Sequence, residues 1–168
     1  VLAFSSLANA GLITNFTDEY DVNNWTQNLN SGSIGLSLAP TEFTLISGND
    51  SFADFSDFTI AAVDTGVVKF DWSYTTEDWG QQFDPFGVIF NGEYTQLSNS
   101  ASSGTYSWNV NAGDVFGFRS RTTDGIYGSS VTTISNFSAP AVVPEPSTFA
   151  IFALGIMGLA SRRFTKQS

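Results

Sequence analysis

The sequence contains no cysteine and no histidine. Without cysteine there are no disulfide bonds, so a hydrophobic core has to stabilise the fold, and the chain is long enough to form one. Without histidine there is no Ser-His-Asp or Cys-His catalytic group, no histidine-containing zinc site and no access to the commonest general base. These absences favour a protein that is not an enzyme and that requires no cofactor.

Basic residues are scarce as well: six lysines and arginines face sixteen aspartates and glutamates, a net charge of −10. Three of the basic residues lie at the C-terminal end, at Arg162, Arg163 and Lys166. Residues 11–143 therefore carry three basic residues against fifteen acidic ones, a net charge of −12. Such a surface repels nucleic acid and anionic lipid, so we predict no nucleic-acid partner. It suits solubility, cation binding or a place beside a polysaccharide.

Residues 149–160 form an uncharged apolar run near the C-terminus. As a helix this run spans ~18 Å, whereas a bilayer's hydrocarbon core is ~30 Å thick and needs about 20 residues. We expect a short transmembrane helix over residues 149–161, too brief to be a secure permanent anchor. Arg162 and Arg163 follow at once and begin a basic tail, residues 162–168. By the positive-inside rule they keep this end in the cytoplasm and leave the body of the chain outside.

A proline-rich segment precedes the apolar run, with the residues Val143, Pro144, Glu145, Pro146 and Ser147. Each proline fixes φ and lacks an N–H, so the segment is neither helix interior nor central strand. We expect it to be extended and accessible, as a processing enzyme requires, within a linker over residues 139–148.

The order of proline-rich motif, short apolar helix and terminal arginines resembles the PEP-CTERM sorting signal of Gram-negative bacteria. The resemblance covers residues 143–168. It implies that a membrane peptidase called exosortase recognises the chain and cuts it near the motif. It further implies a transient stage in the inner membrane, followed by release to the cell surface or into an exopolysaccharide or biofilm matrix. The alternative is an ordinary single-span tail or a hydrophobic C-terminal helix.

The first ten residues predict a matching export signal. Residues 1–7 read as the end of an apolar signal-peptide core, and Ala8-Asn9-Ala10 matches an A-x-A cleavage site. The mature chain would then begin at Gly11. The alternative is that residues 1–10 form a first β-strand of the domain.

The body between these signals alternates apolar and polar residues in short runs separated by turn residues, which predicts strands. Asn91-Gly92 is a strong two-residue hairpin turn, because both residues accept positive φ. We predict an all-β fold, an antiparallel, jelly-roll-like β-sandwich of about nine strands over residues 11–138. The predicted strands are residues 33–38, 42–46, 55–63, 66–74, 86–90, 93–97, 105–110, 115–120 and 131–137, with a loop at 98–104.

An acidic loop follows the predicted strand at 66–74 and contains Glu77, Asp78 and Asp84. Ca²⁺ binds six to eight oxygens, so these carboxylates with backbone carbonyls form a possible calcium site. The alternative is that the acids are solvated and that Asp84 starts a turn before Pro85. Residues 70–74 and 84–87 also resemble stretches in the extracellular domains of other PEP-CTERM proteins, which implies a shared architecture without assigning an activity.

Two tryptophans in polar surroundings are possible glycan-binding residues. Trp79 lies between Asp78 and Gly80, and Trp25 between Asn24 and Thr26. Exposed aromatic faces stack on sugars, although a tryptophan more often packs into the core beneath a loop. The sequence therefore predicts an exported, non-enzymatic protein with a structural or adhesive role. The alternative is a Ca²⁺-dependent carbohydrate-binding module. A glycosidase is a more distant alternative: it needs two carboxyl groups at a fixed separation, and among fifteen acidic residues such a pair is easily found by chance.

Overall fold

The computed structural model describes residues 11–142, and most of this part of the chain consists of β-strands. Short 3₁₀ helices occur at Asp18–Tyr20, Val22–Asn24 and Gln81–Phe83. The eleven strands are β1 Gly11–Thr14, β2 Thr26–Asn28, β3 Ser33–Gly35, β4 Glu42–Ile46, β5 Asp54–Ala61, β6 Gly66–Thr76, β7 Phe86–Phe90, β8 Glu93–Ser98, β9 Ser102–Val110, β10 Val115–Thr122 and β11 Ser130–Ala141.

The strands form two antiparallel sheets. One sheet has the order β3-β4-β11-β6-β9, with β1 also paired to β11, and the other has the order β2-β5-β10-β7-β8. From β4 to β11 this is the strand order of a jelly roll, in which sequence neighbours lie in opposite sheets except for the hairpin of β7 and β8. The predicted all-β sandwich is confirmed. The expected signal peptide, sorting motif, transmembrane helix and basic tail lie outside the described residues.

The clearest sequence patterns gave the right strand limits. β4 and β7 have the predicted bounds, and Asn91 and Gly92 adopt φ values of 48° and 88° between β7 and β8. The sequence missed β1 and β2. β2 is exposed at every position, so it shows no apolar alternation.

Several predicted strand boundaries differ from the structure, and three of the differences reassign a segment. The strand at 33–38 ends at Gly35, and Leu38 is exposed in a turn. Residues 102–104 belong to β9 rather than to a loop, because their backbone pairs with β6 from Trp72 to Tyr74. Residues 139–141 belong to β11 rather than to a linker, because they pair with β1. Pairing with a neighbouring strand decides these segments, and local composition does not reveal it.

The core between the sheets is mostly aromatic. Trp25 stacks on Phe58 and Phe118, with ring centroids 4.8 Å and 5.6 Å apart. Phe16 stacks on Phe137 at 4.7 Å. The other fully buried aromatic side chains are Tyr20, Phe43, Phe70, Tyr74, Phe86 and Phe116. Such pairs contribute beyond the area they bury, so this cluster is the main source of stability.

The strand register defines two ends of the sandwich. At the tail end, β1 and β11 pair so that Gly11 lies opposite Ala141. At the loop end, Thr76 lies opposite Ser130, and Thr122 lies opposite Asp54. The loop end therefore carries the loops at residues 47–53, 77–85 and 123–129. Within residues 11–142, no helix is sufficiently long and apolar to cross a membrane.

Candidate functional site

Three loops at the loop end are joined by backbone hydrogen bonds. Thr123 N–H donates to the Phe83 carbonyl at 2.8 Å, and Glu77 N–H donates to the Ser129 carbonyl at 3.3 Å. Ser51 N–H donates to the Gly125 carbonyl at 2.7 Å. Segments that are far apart in the sequence therefore form one continuous surface.

That surface carries exposed aromatic side chains. Trp79 is 95% exposed, and Phe52, Phe83 and Tyr127 are exposed as well. Among the described residues, these are the large aromatic side chains that face solvent most openly. A Cβ at Gly80 would lie 2.5 Å from the Phe83 ring, so a side chain at that position would displace Phe83. Clustered apolar side chains on a protein surface mark an interaction site.

The two tryptophans predicted from the sequence to bind glycan differ in their exposure. Trp79 has the predicted exposure, but the expected exposure of Trp25 is wrong. Trp25 is 5% exposed, and its indole N–H donates to the Tyr20 carbonyl at 3.0 Å. Its polar sequence neighbours are exposed while the 3₁₀ turn before it directs the indole inward. Trp25 is therefore a core residue, and a sugar cannot stack on it.

The three acidic residues of the loop at 77–85 also differ in their exposure to solvent. Asp84 is 0% exposed and Asp78 is 4% exposed, whereas Glu77 faces solvent. Asp78 Oδ1 accepts a hydrogen bond from Gly80 N–H at 2.7 Å, but its Oδ2 has no partner. Neither carboxylate oxygen of Asp84 has a partner. Tyr74 Oη donates instead to the backbone carbonyl of Asp84 at 2.7 Å.

Burial changes the acidity of this region. Burial, with a smaller contribution from the negative charges of Asp78 and Asp124, raises the pKa of Asp84 to about 6. The hydroxyls of Thr122 and Ser47 lie near enough to lower the pKa of Asp84, yet neither completes a hydrogen bond to its carboxylate. Burial also raises the pKa of Tyr74 to about 12, with the charges of Asp84 and Asp78 adding to the effect. The charges of Asp78 and Asp84 thus both affect Tyr74, and the charge of Asp78 also affects Asp84.

The interior beneath these loops is polar. Along β10, the buried face changes from Phe116 and Phe118 to Ser120 and Thr122 as the strand approaches the loop end. These hydroxyls were not predicted from the sequence, because serine and threonine are also typical of turns. Their period-2 spacing with the buried phenylalanines was the signal that could have identified them.

Between residues 11 and 142, no group of three or more acidic side chains is arranged to hold a metal ion. The predicted set of Glu77, Asp78 and Asp84 does not form such a group. The calcium site therefore stays a prediction; of its three residues, Asp78 and Asp84 are buried and Glu77 is exposed.

Residues 142–163 match a family model described as the PEP-CTERM protein-sorting motif. The match confirms the recognition made from Pro144, Glu145 and Pro146, and it implies export toward the cell surface by way of the membrane. No curated protein matches the chain.

The solved structures that resemble the chain include carbohydrate-binding modules. A family 35 module from Clostridium thermocellum is 10% identical with a TM-score of 0.37, covering 74% of this chain and 98% of that chain. A mutant family 29 module is 12% identical with a TM-score of 0.45, covering 79% and 92%. A family 35 module from Paenibacillus barcinonensis is 13% identical with a TM-score of 0.36, covering 79% and 99%. Likenesses of this strength concern the fold and carry no information on a ligand.

Proposed function

We propose that this chain, which carries a PEP-CTERM sorting motif, is exported by a Gram-negative bacterium, held briefly in the inner membrane and processed by an exosortase-type peptidase. Its β-sandwich then has a structural or adhesive role at the cell surface or in an exopolysaccharide or biofilm matrix. The observation that carries the proposal is the motif at residues 142–163, which begins directly after β11 ends at Ala141. A sorting signal in this position leaves the folded sandwich intact when it is removed.

The chain ends of the sandwich support this arrangement. Gly11 lies opposite Ala141 in the β1–β11 pair, so the expected N-terminal cleavage after Ala10 and the start of the sorting tail belong to the same end of the domain. The loops at 47–53, 77–85 and 123–129 lie at the other end of the same strands. A domain retained through its C-terminus would therefore present its aromatic surface away from the point of attachment.

Substitution of the motif tests the processing step. Replacing Pro144, Glu145 and Pro146 by alanine removes the backbone constraint and the charge that define the segment. We expect a longer, uncut, membrane-associated form, identified by fractionation and intact mass. Glu93→Ala with Gln96→Ala, at two exposed positions of β8, is the control and should be processed normally. Normal processing of the triple variant would contradict the proposal.

A second candidate function is carbohydrate binding at the loop end. It is favoured by one observation, the exposure of Trp79, Phe83, Phe52 and Tyr127 on loops that are joined by backbone hydrogen bonds. Flat aromatic faces suit sugar rings, and the acidity of the domain disfavours anionic polymers, so the ligand would be a neutral glycan.

Affinity electrophoresis in gels that contain neutral or anionic polysaccharide tests this second function. Neutral polysaccharide should retard the wild-type domain, and Trp79→Ala should remove most of the retardation. Leu12→Ala, at an exposed residue of the tail end, is the control and should migrate like the wild type. Equal retardation of all three proteins would exclude binding through the loop-end aromatics.

A further inference from the structure

The loop end contains a buried negative charge that no protein group neutralises. Asp84 is fully buried, and neither of its carboxylate oxygens has a hydrogen-bond partner. Asp78 is also buried, and its Oδ2 has no partner. A buried carboxylate is strongly unfavourable unless it is paired, hydrogen-bonded or coordinated to a metal.

The basic residues of the described chain do not provide this compensation. Residues 11–142 contain Lys69, Arg119 and Arg121. Arg119 forms a bidentate pair with Asp57, at 2.6 Å and 2.7 Å. In this part of the chain, neither Asp78 nor Asp84 takes part in an ion pair. Asp57 and Asp84 thus form a contrast: one buried carboxylate has its cation, and the other does not.

The free atoms near Asp84 are all oxygens. Both carboxylate oxygens of Asp84 and Oδ2 of Asp78 are buried without a partner, the charge of Asp78 acts on Asp84, and the hydroxyls of Ser47 and Thr122 lie near Asp84. Ser47 Oγ accepts from Ser130 N–H at 2.8 Å, and Thr122 Oγ1 accepts from Gly125 N–H at 2.8 Å, so both hydroxyl oxygens are held in place by backbone. An oxygen-only set that includes carboxylates is typical of a hard cation, and Ca²⁺ accepts carboxylate, hydroxyl, carbonyl and water oxygens together.

We propose that Asp84 and Asp78 bind one divalent cation of the calcium type beneath the loop at 77–85, with the unpartnered buried carboxylate oxygens as its principal ligands. Water and nearby protein oxygens would complete the coordination. The donor set differs from the one expected from the sequence, because the exposed Glu77 takes no part.

The position of the two aspartates gives this cation a specific effect. Asp78 directly precedes Trp79, and Asp84 directly follows Phe83. A cation held by both carboxylates would therefore fix the two ends of the segment that carries two of the exposed aromatic side chains. The cation would order the surface before any partner binds, which reduces the entropy lost on binding. The inference stands apart from glycan binding, since it concerns the cation alone.

Calorimetry with calcium chloride tests the proposal directly. The domain is purified in a chelator, exchanged into chelator-free buffer at pH 7.5 and titrated with Ca²⁺, and its thermal unfolding is followed with and without the ion. The wild type should bind one ion per chain and unfold at a higher temperature when Ca²⁺ is present. Glu77→Gln should behave like the wild type, whereas Asp84→Asn and Asp78→Asn should each lose saturable binding and the thermal shift.

Limited proteolysis gives a second readout for the loop itself. Ca²⁺ should protect the segment at 77–85 from cleavage in the wild type and in Glu77→Gln, but not in Asp84→Asn. An absence of saturable Ca²⁺ binding to the wild type would overturn the proposal. So would unchanged binding by both the Asp84→Asn and the Asp78→Asn variants, because the ion would then lie elsewhere.

Discussion

The two ends of the sandwich interior are filled differently along the same strands. Towards the tail end, the buried face of β10 carries Phe116 and Phe118, and towards the loop end it carries Ser120 and Thr122. β11 has the same division, with Ile134 on one side and Thr132 with Ser130 on the other. Backbone pairing continues in register through this change in both strands, and the register shift of β11 against β6 lies beyond it, between Ser135 and Ser138. The side chains alone thus divide one fold into a stabilising aromatic half and a polar half beneath the exposed loops.

This division indicates where the fold is stabilised and where it carries unfavourable groups. The aromatic half gains from burial and ring packing. The polar half holds buried carboxylates that lower stability unless something neutralises them. Unfavourable buried groups often mark a functional site, which is why the loop end is the better candidate for one.

The largest predicted effect compares the two tryptophans. Trp25→Ala should cost about 3–5 kcal/mol of unfolding free energy, because it leaves a cavity among stacked rings. Trp79→Ala should change the unfolding free energy by less than about 0.5 kcal/mol, because its side chain contacts mainly solvent. Urea denaturation of both variants measures the difference. Similar costs for the two would show that the aromatic cluster is not the main source of stability.

A pair of variants on one face of β11 sharpens the comparison. Ile134→Thr should cost about 2–3 kcal/mol, because it buries a hydroxyl in the aromatic half. Thr132→Val removes a buried hydroxyl that has no partner, so it should be neutral or stabilising by about 1 kcal/mol. Both values come from urea denaturation. A substantial loss in Thr132→Val would mean that its hydroxyl is hydrogen-bonded in solution.

The pH dependence of stability tests the buried charge in calcium-free buffer. The folded-state pKa of Asp84 is raised from 3.8 to about 6, so the folded domain holds this proton more tightly than the unfolded chain. The wild type should therefore lose stability as the pH rises from 3.8 to about 6. Asp84→Asn should avoid that loss and be more stable at pH 7.5 by on the order of 2 kcal/mol, with little gain at pH 3.5. Asp50→Asn, at an exposed site, is the control, and an equal gain at both pH values would contradict the assignment.

Much of the fold followed from local patterns. Phe43 and Leu45, two residues apart, gave β4, apolar continuity gave β7, and Asn91-Gly92 gave the turn between β7 and β8. β2 was missed because a strand that is exposed at every position has no apolar signature. The extent of β11 was missed because its last residues are strand only through their pairing with β1.

The candidate site was only partly accessible from the sequence. Asp78, Asp84 and Trp79 could be singled out because they lie close together in one polar segment. Glu77 was grouped with them from its position in the sequence, but it is exposed while Asp78 and Asp84 are buried. Phe52 and Tyr127 could not be added, because only hydrogen bonds between loops bring them to this surface. The loop of Tyr127 is bonded to the loop at 77–85, and the loop of Phe52 is bonded to that of Tyr127.

Intact mass of the protein recovered from cells that produce the full chain with its export and sorting machinery tests the central claim most directly. Processing at both ends predicts a species that begins at Gly11 and lacks the apolar run of residues 149–160, with any attached group visible as added mass. A recovered protein that retains this run and the arginines at 162 and 163 would contradict sorting by the motif. The sandwich would then have to be explained without it.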